Sequence, residues 1–535
     1  MQEPRGADAV GSRPANLAGY VRRAAAAGPD RPALIWHDQT LSWDEVDAAC
    51  DGVARALRAL RLDPVGDRPP RVAIALPNSP QFATAFFGAL RAGLVAVPMN
   101  PGYTARELGQ VLADSAASVL VGTPEVCAAV ESLRGDLPQL RGVHVDALPE
   151  SDGARPDDVG GGEDLAVLLY TSGTEGRPKG AMLSHRALIA NHAQLEAIEP
   201  PALAPEDRAL LVVPLFHAYG LNSGLGAVAY QGASGVLVER FDPADALRLI
   251  ARHQVTVVIG VPAMYVGWSL LPDLGEAMES VRVAVCGAAP LDSATATRFT
   301  AATRHPVLVG YGLTETAPVV TSTLASPVPK VGSVGRPIPG VEVRLVSAGG
   351  DEVWRAGAPG SEWAEEERRR DFEPEAPDSP GSDPGEIVVR GSNLFSGYWP
   401  DGRDGPDPDG WWATGDVAYA DGDGDLFLVD RLGELILVSG FNVYPREVEL
   451  VLEAHPGIAE AAVLGVPHPY TGQTVKAYLV RARGSEVTAE EVMRHAERNL
   501  ARFKCPTSVE FVDQLPHSAT GKVRKAALRT EEPYG

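Results

Sequence analysis

Residues 170–180 read Tyr-Thr-Ser-Gly-Thr-Glu-Gly-Arg-Pro-Lys-Gly, which places hydroxyl groups, three glycines and two cations in eleven consecutive positions. The apolar residues 165–169 precede this segment and are typical of a buried strand. A loop that leaves a strand in this way presents backbone N–H groups and hydroxyls to an anion, and its glycines let the backbone approach a phosphate closely. No Gly-Lys-Ser/Thr triplet stands at the spacing of a Walker A loop. The segment therefore predicts a phosphate-binding loop of another type.

Two later segments also follow strand-like residues. Residues 309–316 read Val-Gly-Tyr-Gly-Leu-Thr-Glu-Thr, and residues 286–291 read Cys-Gly-Ala-Ala-Pro-Leu. The carboxylate of Glu315 suits Mg²⁺, which is a hard cation that prefers oxygen ligands. Gly310 and Gly312 alone are a weak dinucleotide signal, because the third glycine of that fingerprint is absent. The small residues of 286–291 would let a ligand pass close to the backbone, although an ordinary strand-to-helix turn explains them equally well.

Four more segments carry single polar groups that could act on a nucleotide or on a carboxylic acid. They contain His217 within residues 214–223, Asp416 within 410–416, Arg431 within 430–445 and Lys522 within 516–525. A carboxylate can accept hydrogen bonds from both hydroxyls of a ribose, and a lysine on a loop can stabilise charge that develops on a phosphate. The ordinary explanations are a histidine satisfied in the core, a surface aspartate in a Gly turn and a basic C-terminal turn.

In order and residue type, these seven segments resemble the motifs of the adenylate-forming superfamily. That superfamily includes acyl-CoA synthetases, aryl-CoA ligases, firefly-type luciferases and peptide-synthetase adenylation domains. The resemblance implies ATP, Mg²⁺ and coenzyme A as cofactors. It also implies a two-step reaction, in which a carboxylate displaces pyrophosphate from ATP to form an acyl-adenylate and a thiol then displaces AMP. The first step joins two anions, so cations must spread the charge.

The resemblance assigns chemical roles to individual residues. The implied catalytic residues are Lys522, His217, Thr314 and Glu315. Lys522 would bridge the substrate carboxylate and the α-phosphate, which Thr314 contacts, and His217 would lie beside that carboxylate. The implied metal ligands are Glu315 and Thr174. The implied acid pocket contains His217, Tyr219, Ser223, Ala288 and Gly312, with Tyr219 and Ser223 where coumarate-type ligases contact the aromatic ring.

A larger set of residues is implied to contact ATP or coenzyme A. In that set Tyr311 would pack on adenine, Asp416 would bind the ribose and residues 439–441 would line the pantetheine tunnel. The set comprises Thr171, Ser172, Gly173, Thr174, Lys179, Gly287, Ala288, Ala289, Gly310, Tyr311, Gly312, Asp416, Arg431, Ser439, Gly440 and Phe441.

Composition limits the classes of partner. The 535-residue chain has 70 acidic and 47 basic side chains and a net charge of −23. No basic surplus exists to neutralise nucleic-acid phosphates or to hold the chain on an anionic membrane, so we expect neither partner. The four cysteines have no paired or metal-type spacing, which predicts free thiols in a reducing compartment. With no apolar signal segment and no stretch long enough to span a bilayer, we expect a cytoplasmic protein.

Strand-like and helix-like patterns alternate through most of the chain, which is typical of α/β layers with mostly parallel sheets. Strands at 341–346 and 385–390 predict a small β-barrel-like subdomain, and the polar residues 347–384 between them predict a mobile, solvated insertion with a helix at 362–370. The predicted domains are an AMP-binding domain, 1–432, and a small mobile α+β domain, 433–535, that carries Lys522. Gly433 stands at the hinge position of the superfamily, and glycine suits a pivot.

Residues 214–217 and 439–445 are most similar to those of acyl-CoA ligases, so the expected function is that of an ATP-dependent acyl-CoA ligase, with a fatty acid as the first choice of substrate. An aryl-CoA ligase of the coumarate type and an acyl-AMP ligase that loads a carrier protein are the alternatives. A luciferase-like oxygenase and a non-catalytic nucleotide binder come from other classes. The binder is disfavoured because the key polar residues are all present: Thr174, Lys179, Glu315, Asp416, Arg431 and Lys522.

Overall fold

The computed structural model describes residues 13–66, 68–148, 153–171, 178–356, 381–431, 436–438, 441–468, 472–518 and 522–528. The predicted alternation of strands and helices is confirmed through residue 337. The strands of this part are β1 (Pro32–Trp36), β2 (Gln39–Ser42), β3 (Arg71–Ala75), β4 (Val95–Pro98), β5 (Val119–Gly122), β6 (Gly142–Val145), β7 (Leu165–Thr171), β8 (Lys179–Ser184), β9 (Arg208–Leu211), β10 (Ser234–Leu237), β11 (Val257–Gly260), β12 (Val283–Cys286), β13 (Val307–Gly312), β14 (Val319–Ser322) and β15 (Arg336–Pro337).

Helices connect most of these strands. They span Gly19–Ala27, Trp43–Ala59, Pro80–Arg91, Ala105–Ser115, Pro124–Glu131, His185–Glu196, Ala227–Gln231, Pro243–His253, Pro262–Ser269, Leu274–Ala277 and Ser293–Thr303, with a π-helix at Tyr219–Gly226 and 3₁₀ turns at Arg134–Asp136, Thr314–Thr316 and Thr323–Ala325. Local sequence explains several helix starts. Ser79 accepts a hydrogen bond from the Phe82 N–H at 3.2 Å just before Pro80, and Thr104 forms a capping box with Glu107.

Two mainly parallel sheets form from these strands. Within the described residues, the larger has the order β15-β14-β13-β12-β11-β9-β10-β1-β2 and the smaller has the order β6-β5-β3-β4-β7-β8. The larger sheet is parallel from β13 to β1 and antiparallel at both edges, and the smaller is parallel except for the β7–β8 pair. The prediction of α/β layers is therefore confirmed.

The helix Pro80–Arg91 lies in the core and is followed by β4. Phe82, Phe86 and Phe87 on this helix are buried. Its last residue, Arg91, is also fully buried, and its guanidinium lies 2.6 Å from Asp47 and 2.5 Å from Asp51. A buried guanidinium is tolerated because these carboxylates pair with it inside the low-dielectric core.

A third sheet follows, and it corrects one prediction. Its strands are β16 (Val341–Val346), β17 (Glu352–Ala356), β18 (Gly385–Gly391), β19 (Trp411–Ala420) and β20 (Leu426–Arg431), paired antiparallel in the order β17-β16-β18-β19-β20. Residues 347–384 were predicted to be a mobile insertion, and this is wrong for β17, because Val353 and Trp354 pack on the apolar core of the sheet. Residues 357–380, including the predicted helix at 362–370, lie outside the described residues.

The last part of the chain forms a compact α+β unit, as predicted. It contains β21 (Ile436–Val438), β22 (Phe441–Val443), β23 (Ile458–His468), β24 (Gly472–Arg481) and β25 (Ser508–Phe511), with helices at Pro445–Glu453, Ala489–Asn499 and Lys525–Leu528 and a 3₁₀ turn at Arg502–Lys504. The strands pair in the order β22-β21-β24-β23, and β25 joins β24 in parallel. The boundary predicted at residues 432 and 433 lies outside the described residues and stays a prediction.

The structure also bears on membrane association. Among the residues it describes, no helix has both the length and the apolar character that a bilayer crossing requires.

Gly312 provides a test of how closely β13 and the following loop are packed. A Cβ atom at residue 312 would lie 1.9 Å from the Pro318 carbonyl oxygen, a contact no side chain can make without moving the backbone. We expect Gly312→Ala to lower the free energy of unfolding by about 1–3 kcal/mol, as overpacking typically does, and to lower the thermal midpoint. Gly310→Ala on the same strand is the control, because its nearest neighbour, the Thr321 carbonyl oxygen, is at 3.3 Å. Equal midpoints for the two variants would contradict the close packing at residue 312.

Candidate active site

Segments that are distant in the sequence meet at the carboxyl ends of the central strands of the larger sheet. β12 ends at Cys286 directly before Gly287, and β13 ends at Gly312 three residues before Glu315. β9 ends at Leu211, and His217 follows within the next connection. Neighbouring parallel strands end at the same edge of a sheet, where ligands bind in open α/β folds. The register therefore brings three of the predicted motifs to one edge.

The predicted phosphate loop connects β7 to β8. The two strands pair antiparallel, with Thr171 opposite Lys179, so their pairing closes the loop at its base. Ser172, Gly173 and Thr174, which were predicted to bind ATP, lie outside the described residues. The Lys179 ammonium lies 3.5 Å from the Asp404 carboxylate and 5.2 Å from the centre of the Tyr398 ring.

The predicted adenine and ribose motifs are in contact. The Tyr311 hydroxyl donates a hydrogen bond of 2.7 Å to Asp416 Oδ2, and both residues are buried. Asp416 stands opposite Arg431 in the β19–β20 pair, so the backbone brings these two predicted nucleotide contacts together. The side chains of Arg431 and Phe441, and all of Ser439 and Gly440, lie outside what the structure describes.

Glu315 is a buried carboxylate on the 3₁₀ turn Thr314–Thr316. Its Oε1 atom accepts a hydrogen bond of 2.6 Å from the Tyr398 hydroxyl. No second side chain among the described residues donates a hydrogen bond to this carboxylate, so an anionic oxygen is available to a cation. Such an oxygen is the ligand that Mg²⁺ prefers, and the residue present therefore fits the metal that the superfamily implies.

His217 is half-buried, and its Nε2 atom has no hydrogen-bond partner among the described residues. Burial, and to a lesser extent the charge of Lys522, lower the pKa of this imidazole to about 4. The imidazole is therefore neutral at pH 7.

Lys522 is exposed, and its backbone is hydrogen-bonded to Ser518. Its backbone N–H donates to Ser518 Oγ at 3.1 Å, and the Ser518 N–H donates to the Lys522 carbonyl oxygen at 2.7 Å. The positive charge of the nearby Arg524 also contributes to lowering the pKa of Glu107, although hydrogen bonds from Thr104 are the larger cause. Lys522 belongs to the C-terminal unit, and its charge contributes to the lowered pKa of His217.

Tyr219 and Ser223 lie on the π-helix Tyr219–Gly226. The hydroxyl oxygens of both are buried and have no hydrogen-bond partner among the described residues. Burial raises the pKa of the Tyr219 hydroxyl well above its usual value, so this group stays protonated. A Cβ atom at Gly287 would lie 2.9 Å from Tyr219 Cζ, so only glycine leaves room for the ring. The next residue, Ala288, has a φ of 70°, which is rare for a residue with a side chain.

One residue of the site was not predicted from the sequence. Tyr398 contacts both Glu315 and Lys179, yet a tyrosine in a Gly-Tyr-Trp tract carries no charge pattern that would identify it. Its position beside the metal-ligand candidate follows from the antiparallel bridge between Tyr398 and Ala181 of β8. Sequence spacing alone does not reveal that bridge, because more than two hundred residues separate the partners.

Comparison with known proteins gives the family. The AMP-binding enzyme family matches residues 21–367, and the AMP-binding enzyme C-terminal domain family matches residues 447–522. A feruloyl-CoA synthase of Amycolatopsis sp is 36% identical over 518 residues, covering 96% of this chain and 98% of the relative. A long-chain-fatty-acid–CoA ligase of Bacillus subtilis (strain 168) is 30% identical over 565 residues, covering 96% and 94%.

A solved structure agrees with these sequence matches. The crystal structure of ATP-bound MatB from Rhodopseudomonas palustris matches with a TM-score of 0.84 at 31% identity, and the match covers 96% of this chain and 98% of that chain. The predicted superfamily and the predicted division into a large and a small part with mixed α/β structure are thereby confirmed. The chain belongs to the AMP-binding enzyme family of adenylate-forming acid–thiol ligases.

Proposed function

We propose that the chain is an ATP-dependent acid–CoA ligase whose acid carries an aromatic ring with a polar substituent. The ligase activity, with ATP, Mg²⁺ and coenzyme A, agrees with the family and with the CoA ligases among its relatives. The proposal of an aromatic acid goes beyond the family, and it rests on one observation. The Tyr219 hydroxyl and Ser223 Oγ are buried in the predicted acid pocket with no hydrogen-bond partner among the described residues.

In adenylate formation, the first step, we assign two different roles: Lys522 is a cation and His217 is a neutral hydrogen-bond donor. Lys522 supplies a positive charge on an exposed turn near His217, where it can bridge the substrate carboxylate and the α-phosphate as charge develops. The neutral imidazole of His217 has one N–H group, so it can orient the carboxylate with a hydrogen bond without adding charge. Mg²⁺ held by Glu315 would spread the negative charge of the phosphates, and Lys179 would stand at the base of the phosphate loop.

The polar atoms of the pocket favour an aromatic acid over the fatty acid that was the first choice from sequence. An alkyl chain would leave the Tyr219 and Ser223 hydroxyls unsatisfied, and each buried polar group without a partner costs about 1–3 kcal/mol. A ring hydroxyl or methoxyl group at this depth would accept or donate the missing hydrogen bonds. The feruloyl-CoA synthase among the relatives supports this class, and the long-chain-fatty-acid–CoA ligase supports the alternative.

We further propose coenzyme A as the thiol and the cytoplasm as the compartment. The relatives with the matches described above are CoA ligases, whereas loading of a carrier protein has no feature of this chain in its favour. All four cysteines are free thiols, and three of them are buried, which fits a reducing compartment.

A panel of acids tests the proposed function directly. Pyrophosphate release should be measured with hydroxylated cinnamic and benzoic acids, their unsubstituted parents and saturated fatty acids, each with and without coenzyme A. We expect the hydroxylated aromatic acids to give the highest kcat/KM and to require coenzyme A for sustained turnover. A preference for fatty acids would overturn the substrate class but leave the ligase activity standing.

Replacing Lys522 with alanine should separate the two half-reactions. We expect adenylate formation to fall by roughly two to three decades, which is about 3–4 kcal/mol for the loss of one such charge contact. Thioester formation from preformed acyl-adenylate should change little, because the lysine acts on α-phosphate charge only in the first step. Lys504→Ala is the control, since that lysine lies 2.7 Å from Glu447 within the C-terminal unit. An equal loss in both half-reactions would show that Lys522 has a different role.

Replacing Ser223 with alanine tests the polar end of the acid pocket. If Ser223 Oγ bonds a ring substituent, kcat/KM for the hydroxylated acid should fall by about three- to tenfold, the effect of one hydrogen bond. The value for the unsubstituted parent should stay the same or rise. Equal changes for both acids would mean that the hydroxyl does not contact the substrate.

The low pKa of His217 predicts the pH dependence of its contribution. The group is neutral above about pH 4, well below the usual histidine range near 6.5. We therefore expect the ratio of adenylation rates for wild type and His217→Asn to stay constant within about twofold from pH 6 to 8.5. A ratio that titrates with a midpoint near 6.5 would show that the charged imidazole takes part.

A further inference from the structure

Residues 395–404 connect two parts of the site that are far apart in the sequence. On one side, the Trp399 N–H donates to the Gly180 carbonyl oxygen at 2.8 Å, and the Met182 N–H donates to the Gly397 carbonyl oxygen at 3.1 Å. Gly180 and Met182 belong to β8, the strand that leaves the phosphate loop. On the other side, the Phe395 N–H donates to the Glu315 carbonyl oxygen at 2.9 Å. The segment therefore sets the distance between the phosphate loop and the turn that carries Glu315.

Tyr398 makes this connection with its side chain as well. Its hydroxyl donates to Glu315 Oε1 at 2.6 Å, a short hydrogen bond of the kind expected when the acceptor is a carboxylate. The Lys179 ammonium lies 5.2 Å from the centre of the same ring, within the range of a cation–π contact. One side chain thus contacts the candidate metal ligand and the lysine at the base of the phosphate loop.

The surroundings hold Tyr398 in one position. Its ring packs edge-on against Phe395 at 5.1 Å, and Phe395 packs in the same way against Trp412 at 5.2 Å. The neighbouring Trp399 donates from Nε1 to the Asp114 carbonyl oxygen at 2.8 Å, and the Arg71 guanidinium lies 4.2 Å over its ring. A hydrogen bond from a side chain fixed in this way selects one rotamer of its acceptor.

We propose that Tyr398 is a positioning residue for the metal site: its hydroxyl occupies Glu315 Oε1 and so directs the other carboxylate oxygen to Mg²⁺ bound with ATP. This proposal rests on the proposed role of Glu315 as a metal ligand. Removal of the hydroxyl alone should leave the aromatic packing and the cation–π contact in place. The Glu315 carboxylate would then rotate among several orientations, and the loss of affinity would appear only when the metal binds.

The test compares binding of ATP with and without Mg²⁺ to Tyr398→Phe and wild type by isothermal titration calorimetry. We expect the affinity of the variant for ATP in excess Mg²⁺ to fall about five- to tenfold, with ATP affinity in EDTA unchanged. The Mg²⁺ concentration for half-maximal adenylation should rise in parallel, with the KM of the acid unaltered. Tyr230→Phe is the matched control, because the Tyr230 hydroxyl donates to a carboxylate of Glu196 at 2.9 Å away from these motifs.

Two reference variants distinguish the positioning role of Tyr398 from the role of Glu315 as a metal ligand, on which it rests. Glu315→Gln should lose the Mg²⁺ dependence of ATP binding, and failure to do so would refute the role of Glu315 itself. If Glu315→Gln loses the Mg²⁺ dependence of ATP binding and Tyr398→Phe binds ATP in excess Mg²⁺ as wild type does, the positioning role of Tyr398 is wrong. The double variant should match Glu315→Gln, because Tyr398 acts through that carboxylate. Additive losses, or equal losses of ATP affinity with and without Mg²⁺, would show a general packing role and overturn the proposal.

Discussion

The parallel register of β9, β11, β12 and β13 determines where His217, Gly287 and Glu315 can lie relative to one another. Residue 211 is beside residue 259, residue 260 is beside residue 286, and residue 286 is beside residue 309, so the chain leaves these strands at one edge. A ligand at that edge meets the connections after several strands at once. His217, Gly287 and Glu315 come from three separate connections, and no local rearrangement could bring them together if the register shifted.

Elements whose apolar residues recur with a regular period could be predicted closely from the sequence. The strand at 341–346 has the predicted bounds, because its alternating apolar and polar residues define it locally. β17 was missed because its five residues lie inside a segment whose average composition is polar. Its pairing with β16 and the contact of Trp354 with a core built from other strands identify it, and both depend on residues distant in the sequence.

The residues of the candidate site also differ in whether the sequence alone could identify them. Lys522 and Glu315 were identified because a charged residue in a recognisable motif is visible in the sequence. Tyr398 was not, because its importance comes from an isolated β-bridge to Ala181 of β8 and from its hydrogen bond to Glu315, neither of which its local sequence reveals. The roles that the superfamily implies for all these site residues stay predictions, and residues 172–174, 433 and 439–440 also lie outside the described residues.

The contact between Gly287 and Tyr219 limits which substitutions could enlarge the predicted acid pocket. At residue 287 the wall is bare backbone, and the Tyr219 ring lies directly against it. That side of the pocket has no side chain left to shorten, so evolution or design can deepen it only by replacing Tyr219. The same replacement removes the hydroxyl on which the proposed preference for a polar aromatic acid rests. If the proposed function holds, one position therefore couples acceptance of longer alkyl acids to loss of selectivity for substituted rings.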